Sequence, residues 1–197
     1  MSRLPDLTPE ELDPDQRALY DAITSGPRAQ GPQHFALTRP DGSLTGPFNA
    51  FLRSPQVGVA LQDLGAALRY RTSLPDRIRE IAILMVAAHW DSAFERHAHE
   101  AVGRAVGLTD GELATIREGD KAAYEDAREQ ATARLVGAML TGDVDDATWQ
   151  ECAETVGAQS VFELTTLVGY YSTLAFQLRV FRVDPLPKRS GTDRKAP

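Results

Sequence analysis

Four polar residues between positions 80 and 99 have types and spacings suited to acid/base chemistry: Glu80, Ser92, Glu95 and His99. An imidazole exchanges protons near neutral pH, and a carboxylate within reach fixes its tautomer and raises its basicity. Ser92, Glu95 and His99 are three and four residues apart, so on a helix they share one face. We therefore predict proton transfer by His99, with Glu80 and Glu95 orienting and tuning the imidazole.

Glu80 is the residue that favours chemistry over a purely structural interpretation. It precedes the apolar run 81–88, which is typical of a helix buried on nearly every side. A buried carboxylate is costly unless it is compensated, and His99 is the predicted partner. Taken alone, the spacing of Glu95 and His99 favours an ordinary exposed ion pair, worth about 0.2 to 0.5 kcal/mol.

The elements that must position these residues are predicted to be helices, because no segment alternates as a strand does. A first helix starts at Thr8 or Asp13 and ends near Ile23. Ser73 to Asp76 and Thr109 to Glu112 both resemble capping boxes. The remaining helices are predicted over residues 48–52, 55–71, 77–88, 92–106, 109–119, 121–140, 145–156 and 161–181. The fold class is all-α.

Length and composition predict one compact domain, since 197 residues with 42% hydrophobic content can build one good core. We divide the chain into an N-terminal helix and loop strap (1–46), a helical domain (47–184) and a loose tail (185–197). In the strap, His34, Phe35 and Arg39 lie in a loop rich in glycine and proline. These residues either form the wall of a pocket or belong to a strap that only packs over the core. Packing over the core is the favoured interpretation.

Charge and motif content exclude several classes of function. A net charge of −7 without a basic stripe argues against nucleic-acid partners. The chain has no signal sequence and no apolar run near twenty residues, so we expect a cytoplasmic protein without a membrane span.

Its single cysteine, Cys152, cannot form an internal disulfide. No standard metal-ligand signature is present, so we predict neither metal nor cofactor. Ser92 lacks nucleophile-elbow glycines, which argues against a serine hydrolase.

Glu80 followed by FERHAHEAVGRAVGL resembles the carboxymuconolactone decarboxylase and alkylhydroperoxidase D-like superfamily, over residues 48–118 most clearly. The resemblance implies an AhpD-like helical bundle that assembles as a dimer, trimer or hexamer, with a pocket beside the histidine. In the peroxidase branch a Cys-x-x-Cys pair precedes that histidine, and a glutamate lies upstream. Here the glutamate matches Glu80, the histidine matches His99, and the cysteine positions match Ser92 and Glu95.

The missing cysteines exclude a disulfide cycle and argue against a thiol peroxidase. The decarboxylase branch is similar in carrying a glutamate one turn before its histidine. The resemblance therefore favours a cofactor-free carboxy-lyase or isomerase, with a small carboxylated or lactone-type substrate as its partner. The tyrosine, glycine and proline pattern of lactone decarboxylases is absent after Gly119.

Several further residues are predicted to contact the substrate. Ser92, Trp90, Phe94 and His34 would line the site and exclude water, and Arg53, Arg69 or Arg77 would hold a carboxylate. The alternative is a non-catalytic protein in which Glu80 and His99 are a buried polar pair that fixes helix register, with the scaffold kept for small-molecule binding or assembly.

Overall fold

A computed structural model describes residues 2–30, 35–119 and 124–183, without the side chains at 27 and 28. A 3-10 turn, Pro9–Glu11, precedes the α-helices. These are α1 (Pro14–Ser25), α2 (Pro27–Gln30), α3 (Pro47–Phe51), α4 (Pro55–Tyr70), α5 (Asp76–His89), α6 (Ala93–Ala105), α7 (Asp110–Glu118), α8 (Ala127–Thr141), α9 (Asp146–Val156) and α10 (Ala158–Phe181). Within those residues extended pairing is limited to one bridge, Thr38 with Leu44. The all-α prediction is confirmed.

Helix α5 is the centre of the molecule. It packs against α6, α7, α8 and α10, which explains why its apolar residues run without a polar face. Ile81 and Ala82 are completely buried, and Glu80 is 1% exposed. The prediction that the apolar run would carry a glutamate into the interior is confirmed.

The starts of α5, α7 and α9 show which of the predicted capping residues form a capping hydrogen bond. Thr109 accepts a hydrogen bond from the backbone N–H of Glu112, as predicted. At α9 the sequence offers Asp145 or Asp146 as the cap, and Asp145 is the one that accepts a hydrogen bond, from the backbone N–H of Thr148. The capping box predicted at Ser73 is wrong: α5 begins after Pro75 without a side-chain cap. The Ser73 hydroxyl instead donates to the Glu163 carboxylate on α10 at 2.8 Å, a partner distant in sequence.

The helix predicted over 121–140 begins later. Asp126 accepts hydrogen bonds from the backbone N–H groups of Arg128 and Glu129, so it is the N-cap and α8 starts at Ala127. Residues 120–123 lie outside the described residues. Alanine-rich sequence predicts helix on either side of that cap, and the competing aspartate side chain decides where the helix begins.

The N-terminal segment is packed into the same core as the later helices. Leu19 and Ile23 of α1 and Leu44 of the following loop are at most 1% exposed. The Asn49 amide on α3 exchanges two hydrogen bonds, both 2.9 Å, with the backbone of Leu7. The proposed division at residue 46 and the loose tail stay predictions, and residues 184–197 lie outside the described part.

Across the described ranges, no helix combines the length and the apolar character that crossing a bilayer requires.

Candidate active site

A three-residue turn between α5 and α6 brings Glu80 and His99 together. Asp91 adopts a left-handed conformation with φ of 48°, and the backbone N–H of Ser92 donates to the carbonyl of Ala87 at 2.8 Å. The N–H of Asp91 donates to Ala88, which completes a Schellman-type helix end. This tight reversal lays α6 back along α5, so that residues far apart in sequence become neighbours.

Glu80 and His99 form a buried hydrogen-bonded pair. The distance from His99 Nδ1 to Glu80 Oε2 is 2.7 Å, with Glu80 1% and His99 7% exposed. The predicted contact between the acid and the imidazole is present. The second ring nitrogen, Nε2, makes no hydrogen bond to any described residue. Because the carboxylate holds Nδ1, it orients the ring and leaves Nε2 for proton exchange.

Glu95 forms neither the hydrogen bond to His99 that would orient the ring nor the exposed ion pair that was its alternative. It is 3% exposed, and neither carboxyl oxygen has a hydrogen-bond partner in the described chain. Burial raises the pKa of Glu95 to about 8, and the nearby Ser92 hydroxyl offsets that rise in part. That hydroxyl does not reach hydrogen-bond geometry, since its Oγ is also without a partner. Glu95 is therefore a neutral carboxylic acid at pH 7.

A cavity of about 220 Å³ opens at the start of α6. Its lining comes from the α5–α6 turn, the first turn of α6 and the end of α10: Trp90, Asp91, Ser92, Ala93, Phe94, Ala175, Leu178, Arg179, Arg182 and Val183. Of the residues predicted to contact the substrate, Ser92, Trp90 and Phe94 lie here. The lining does not include Glu80, Glu95 or His99, but Glu95 and His99 lie on the same face of α6 as Ser92.

Phe94 ties the N-terminal loop to this site. Its ring meets Phe35 edge to face with centroids 5.8 Å apart. It also lies against Gly46, where φ is 59° and where any Cβ would overlap the ring. Glycine is required there for both backbone and space.

Replacing Gly46 with alanine is therefore expected to destabilise the fold by about 3 kcal/mol, from backbone strain and from displacement of Phe94. Gly157→Ala is the matched control, because Gly157 has a φ of 85° with nothing within 4 Å of an added Cβ. Urea unfolding of both variants separates the two contributions, because Gly157→Ala measures backbone strain alone and the additional loss in Gly46→Ala is due to displacement of Phe94. If both variants lose the same free energy of unfolding, displacing the Phe94 ring does not destabilise the fold.

Other predicted residues lie elsewhere. His34 lies outside the described residues. Arg53 donates to the Pro5 carbonyl and borders a separate cavity of about 10 Å³, so it does not reach the Ser92 cavity. Arg77 is paired with Glu112 and Glu129. Both arginines contact other residues and neither lines the cavity beside Ser92, and their contact with a substrate carboxylate stays a prediction.

Sequence reasoning missed three residues of the site, all on α10 or at its end. The Tyr171 ring meets the His99 ring edge to face at 5.2 Å. Arg179 and Arg182 line the cavity. A cation at the end of a helix is ordinarily explained by the helix dipole, so these arginines carried no distinctive signal.

Cys152 does not line the cavity beside Ser92. Within residues 2–30, 35–119 and 124–183, no three histidine, cysteine, aspartate or glutamate side chains gather as metal ligands would. Cys152 lies on α9 and is 1% exposed, and burial raises the pKa of its thiol. A thiol of this kind is inert.

Comparison with known proteins places the fold. No family model matches the sequence, and no curated protein matches it significantly. Among solved structures, a peroxidase-related protein from Ralstonia eutropha JMP134, described as an alkylhydroperoxidase AhpD core, is 15% identical with a TM-score of 0.72, covering 93% of this chain and 92% of that one.

Two further structures are similar. A protein of unknown function from Agrobacterium tumefaciens, described as a putative antioxidant defence protein AhpD, is 16% identical with a TM-score of 0.64, covering 73% of this chain and 100% of that one. The debrominase Bmp8, in complex with 2,3,4-tribromopyrrole, is 10% identical with a TM-score of 0.70, covering 93% of each chain. The chain thus has the AhpD-like helical fold of these structures, which confirms the fold that the resemblance around Glu80 and His99 predicted.

Proposed function

We propose that this protein catalyses cofactor-free proton transfer at carbon, as a decarboxylase or isomerase of a small carboxylated or lactone-type substrate. The observation that carries the proposal is the buried 2.7 Å hydrogen bond between Glu80 and His99, one helical turn from a neutral Glu95. Three groups with distinct protonation tasks, assembled at one place, are a recognised mark of acid/base sites.

In the decarboxylation version, the bond between the reacting carbon and its carboxylate breaks and carbon dioxide leaves. The electron pair stays on the substrate as an enolate conjugated with a neighbouring carbonyl. His99 then delivers a proton from Nε2 to the carbon, while Glu80 holds Nδ1 and stabilises the charged ring. In an isomerisation, His99 first removes the proton and then returns it to another carbon.

Glu95 supports this chemistry as a hydrogen-bond donor. A carboxylic acid that remains neutral at pH 7 can donate to a developing enolate oxygen, which an ionised carboxylate would repel. Its two oxygens lack partners in the described structure, so neither is already engaged by another described residue. This role replaces the ring-orienting role predicted from spacing, which belongs to Glu80 alone.

Peroxide reduction by a thiol route is not the proposed activity. Of the similar structures, one is described as peroxidase-related, one as a putative antioxidant defence protein and one as a debrominase. In this chain Ser92 and Glu95 occupy the positions that the resemblance assigns to the cysteine pair, and neither side chain can form a disulfide.

A screen tests the proposal directly. The purified protein, with no added metal, thiol or cofactor, is incubated with carboxylated lactones and β-keto acids in deuterium oxide. Carbon dioxide release or deuterium on carbon is the expected result for at least one compound. Neither signal across the panel would contradict the proposal.

The burial of the pair favours a second candidate, a non-catalytic protein in which Glu80 and His99 fix the register of α5 and α6. His99 is only 7% exposed and does not line the cavity beside Ser92. In that case the scaffold would serve small-molecule binding or self-assembly. This candidate would be favoured if the screen finds no turnover and substitutions of Glu80 or His99 lower the stability of the protein.

A further inference from the structure

Arg79 lies beside the buried pair of Glu80 and His99 and has no part in the reaction proposed above. We infer that it is a positioning residue: its guanidinium balances the Glu80 carboxylate, so that the resting His99 ring stays neutral with a bare Nε2 and acts as a base. This inference rests on the proposed function, because it names the proton transfer with which that site begins.

Four ionisable side chains that can carry alternating charges lead from the surface to the imidazole. The exposed Asp76 carboxylate lies 2.6 Å from Nη2 of Arg79. Nε of Arg79 lies 3.9 Å from Oε1 of Glu80, and Oε2 of Glu80 lies 2.7 Å from Nδ1 of His99. Among the described residues, the ion pairs of Glu80 are those with Arg79 and His99. Arg79 is therefore the permanent positive charge that the Glu80 carboxylate faces.

The attraction between Arg79 and Glu80 acts in the protein interior. The Arg79 side chain is 12% exposed and the Glu80 side chain 1%. Nε of Arg79 is buried and has no hydrogen-bond acceptor among the residues described. A buried guanidinium and a buried carboxylate each carry a desolvation cost, which the attraction between them offsets. Because water screens this attraction poorly, it is stronger than that of a surface ion pair.

Helix stability does not explain the position of Arg79. It is the fourth residue of α5, near the end where the helix dipole favours an acid over a cation. Its ion pair with Asp76 involves an exposed carboxylate, and such pairs contribute little to stability. The larger effect of the Arg79 charge is therefore on the buried Glu80.

Other ionisable groups near His99 come from the helices around it. Glu95, one turn earlier on α6, is neutral at pH 7, and Tyr171 of α10 contacts the imidazole with its aromatic ring. From α7, Arg117 is exposed and pairs with a glutamate of α6 at 2.6 Å. The charge balance at the imidazole is therefore set by the acid and the arginine of α5.

This balance decides the resting state of the imidazole. With Arg79 present, Glu80 stays ionised beside a neutral ring that donates its Nδ1 proton and leaves Nε2 bare. Without Arg79, Glu80 would be a buried negative charge with no fixed cation beside it, and the pair would take up a proton. In that state Nε2 is protonated, whether the added proton stays on the ring or Glu80 holds the one at Nδ1.

A bare Nε2 favours the isomerisation version of the proposed function. Nε2 removes a proton from carbon, and the electron pair of the broken C–H bond stays on the substrate as an enolate. Glu80 stabilises the charged ring until the proton returns to another carbon. In the decarboxylation version the ring must already hold the proton that it delivers, which the charge of Arg79 opposes.

Nitrogen NMR of the full chain tests the inference without a substrate. The protein is labelled with isotopic histidine, and the His99 signals are identified by their absence in His99→Gln. The chemical shift of Nε2 at pH 7 gives the ratio of protonated to bare nitrogen. We expect Arg79→Met to raise this ratio at least about tenfold, because it removes the positive charge that opposes proton uptake. Arg79→Lys keeps the charge and should stay within about twofold of the wild type.

Asp76→Asn is the matched control. Asp76→Asn and Arg79→Met both break the ion pair at the start of α5, but only Arg79→Met removes the charge beside Glu80. Asp76→Asn should leave the ratio unchanged or lower it, since it removes a negative charge. Arg79→Gln repeats the test with a polar side chain if Arg79→Met does not fold, and circular dichroism checks the fold of each variant.

A pH profile separates a charge effect from a structural one once the screen supplies a substrate. Arg79→Met should lower kcat about tenfold relative to the wild type at pH 7 with KM unchanged. The loss relative to the wild type should shrink as the pH rises, because Nε2 then loses its added proton. A structural defect would persist at every pH.

The outcomes separate this inference from the proposed function. The inference is overturned if Nε2 is fully protonated in the wild type at pH 7, if Arg79→Met leaves the ratio unchanged, or if Asp76→Asn raises it equally. Each of these results would stand even if Glu80 and His99 prove catalytic. A rise confined to the variants that lack the Arg79 charge supports the inference, and it would do so even if the screen for turnover fails.

Discussion

His99→Gln is expected to lower turnover by about 10² to 10⁴-fold, because it removes the group that exchanges the proton with carbon. Glu80→Gln is expected to have a smaller effect of the same kind: an amide can still contact Nδ1 but cannot stabilise the charged ring. The measurement is kcat/KM for carbon dioxide release or for deuterium incorporation, with the best substrate from the screen.

His97→Gln is the matched control, since His97 lies on the same helix but is exposed. It should keep the wild-type rate. Thermal unfolding of all three variants shows whether a lost rate reflects a lost fold. If folded His99→Gln protein keeps full activity, His99 has no catalytic role and the non-catalytic alternative is favoured.

Glu95→Gln is expected to remove a strong pH dependence of stability. The pKa of Glu95 is raised by burial from 4.5 to about 8 in the folded protein. Below about pH 4.5 the carboxyl group is protonated in both the folded and the unfolded protein, so its raised pKa does not lower the free energy of unfolding. Between there and about pH 8 the unfolded chain ionises while the folded chain does not, so each unit of rising pH lowers the free energy of unfolding by about 1.4 kcal/mol.

The sum over that window is several kcal/mol, of the order of the whole stability of many domains. Urea unfolding at pH 5 and pH 8 should therefore show Glu95→Gln gaining stability relative to the wild type as pH rises. Glu118→Gln, at an exposed glutamate, is the control and should not show this gain. A difference between Glu95→Gln and wild type that does not change with pH would show that Glu95 is ionised in the folded protein, and the donor role proposed for it would fail.

The pairing of Glu80 with His99 could be predicted because both signals are local. A carboxylate at the head of an apolar helix needs a partner, and the next helix supplies an imidazole after a short turn. The capping of α7 by Thr109 was predictable for the same reason, since the side chain meets a backbone group three residues away. At α9 the sequence narrowed the cap to Asp145 or Asp146, and the structure shows Asp145.

Contacts between distant segments could not be predicted in this way. Ser73 resembles a helix cap, but its hydroxyl donates a hydrogen bond to Glu163, 90 residues later in the sequence. Glu95 has the spacing of an ion-pair partner, but the packing around α6 buries it without one. Arg179 reaches the cavity only because α10 packs against α5, which no pattern within α10 reveals.

The double variant Glu80→Gln/His99→Gln gives the most direct test of the central claim, that the two residues act as one proton-transferring unit. Its kcat/KM, compared with both single variants, is predicted to fall no further than that of His99→Gln alone, because residues that act as a unit are non-additive. Losses that multiply, with each substitution lowering the rate independently of the other, would contradict the account.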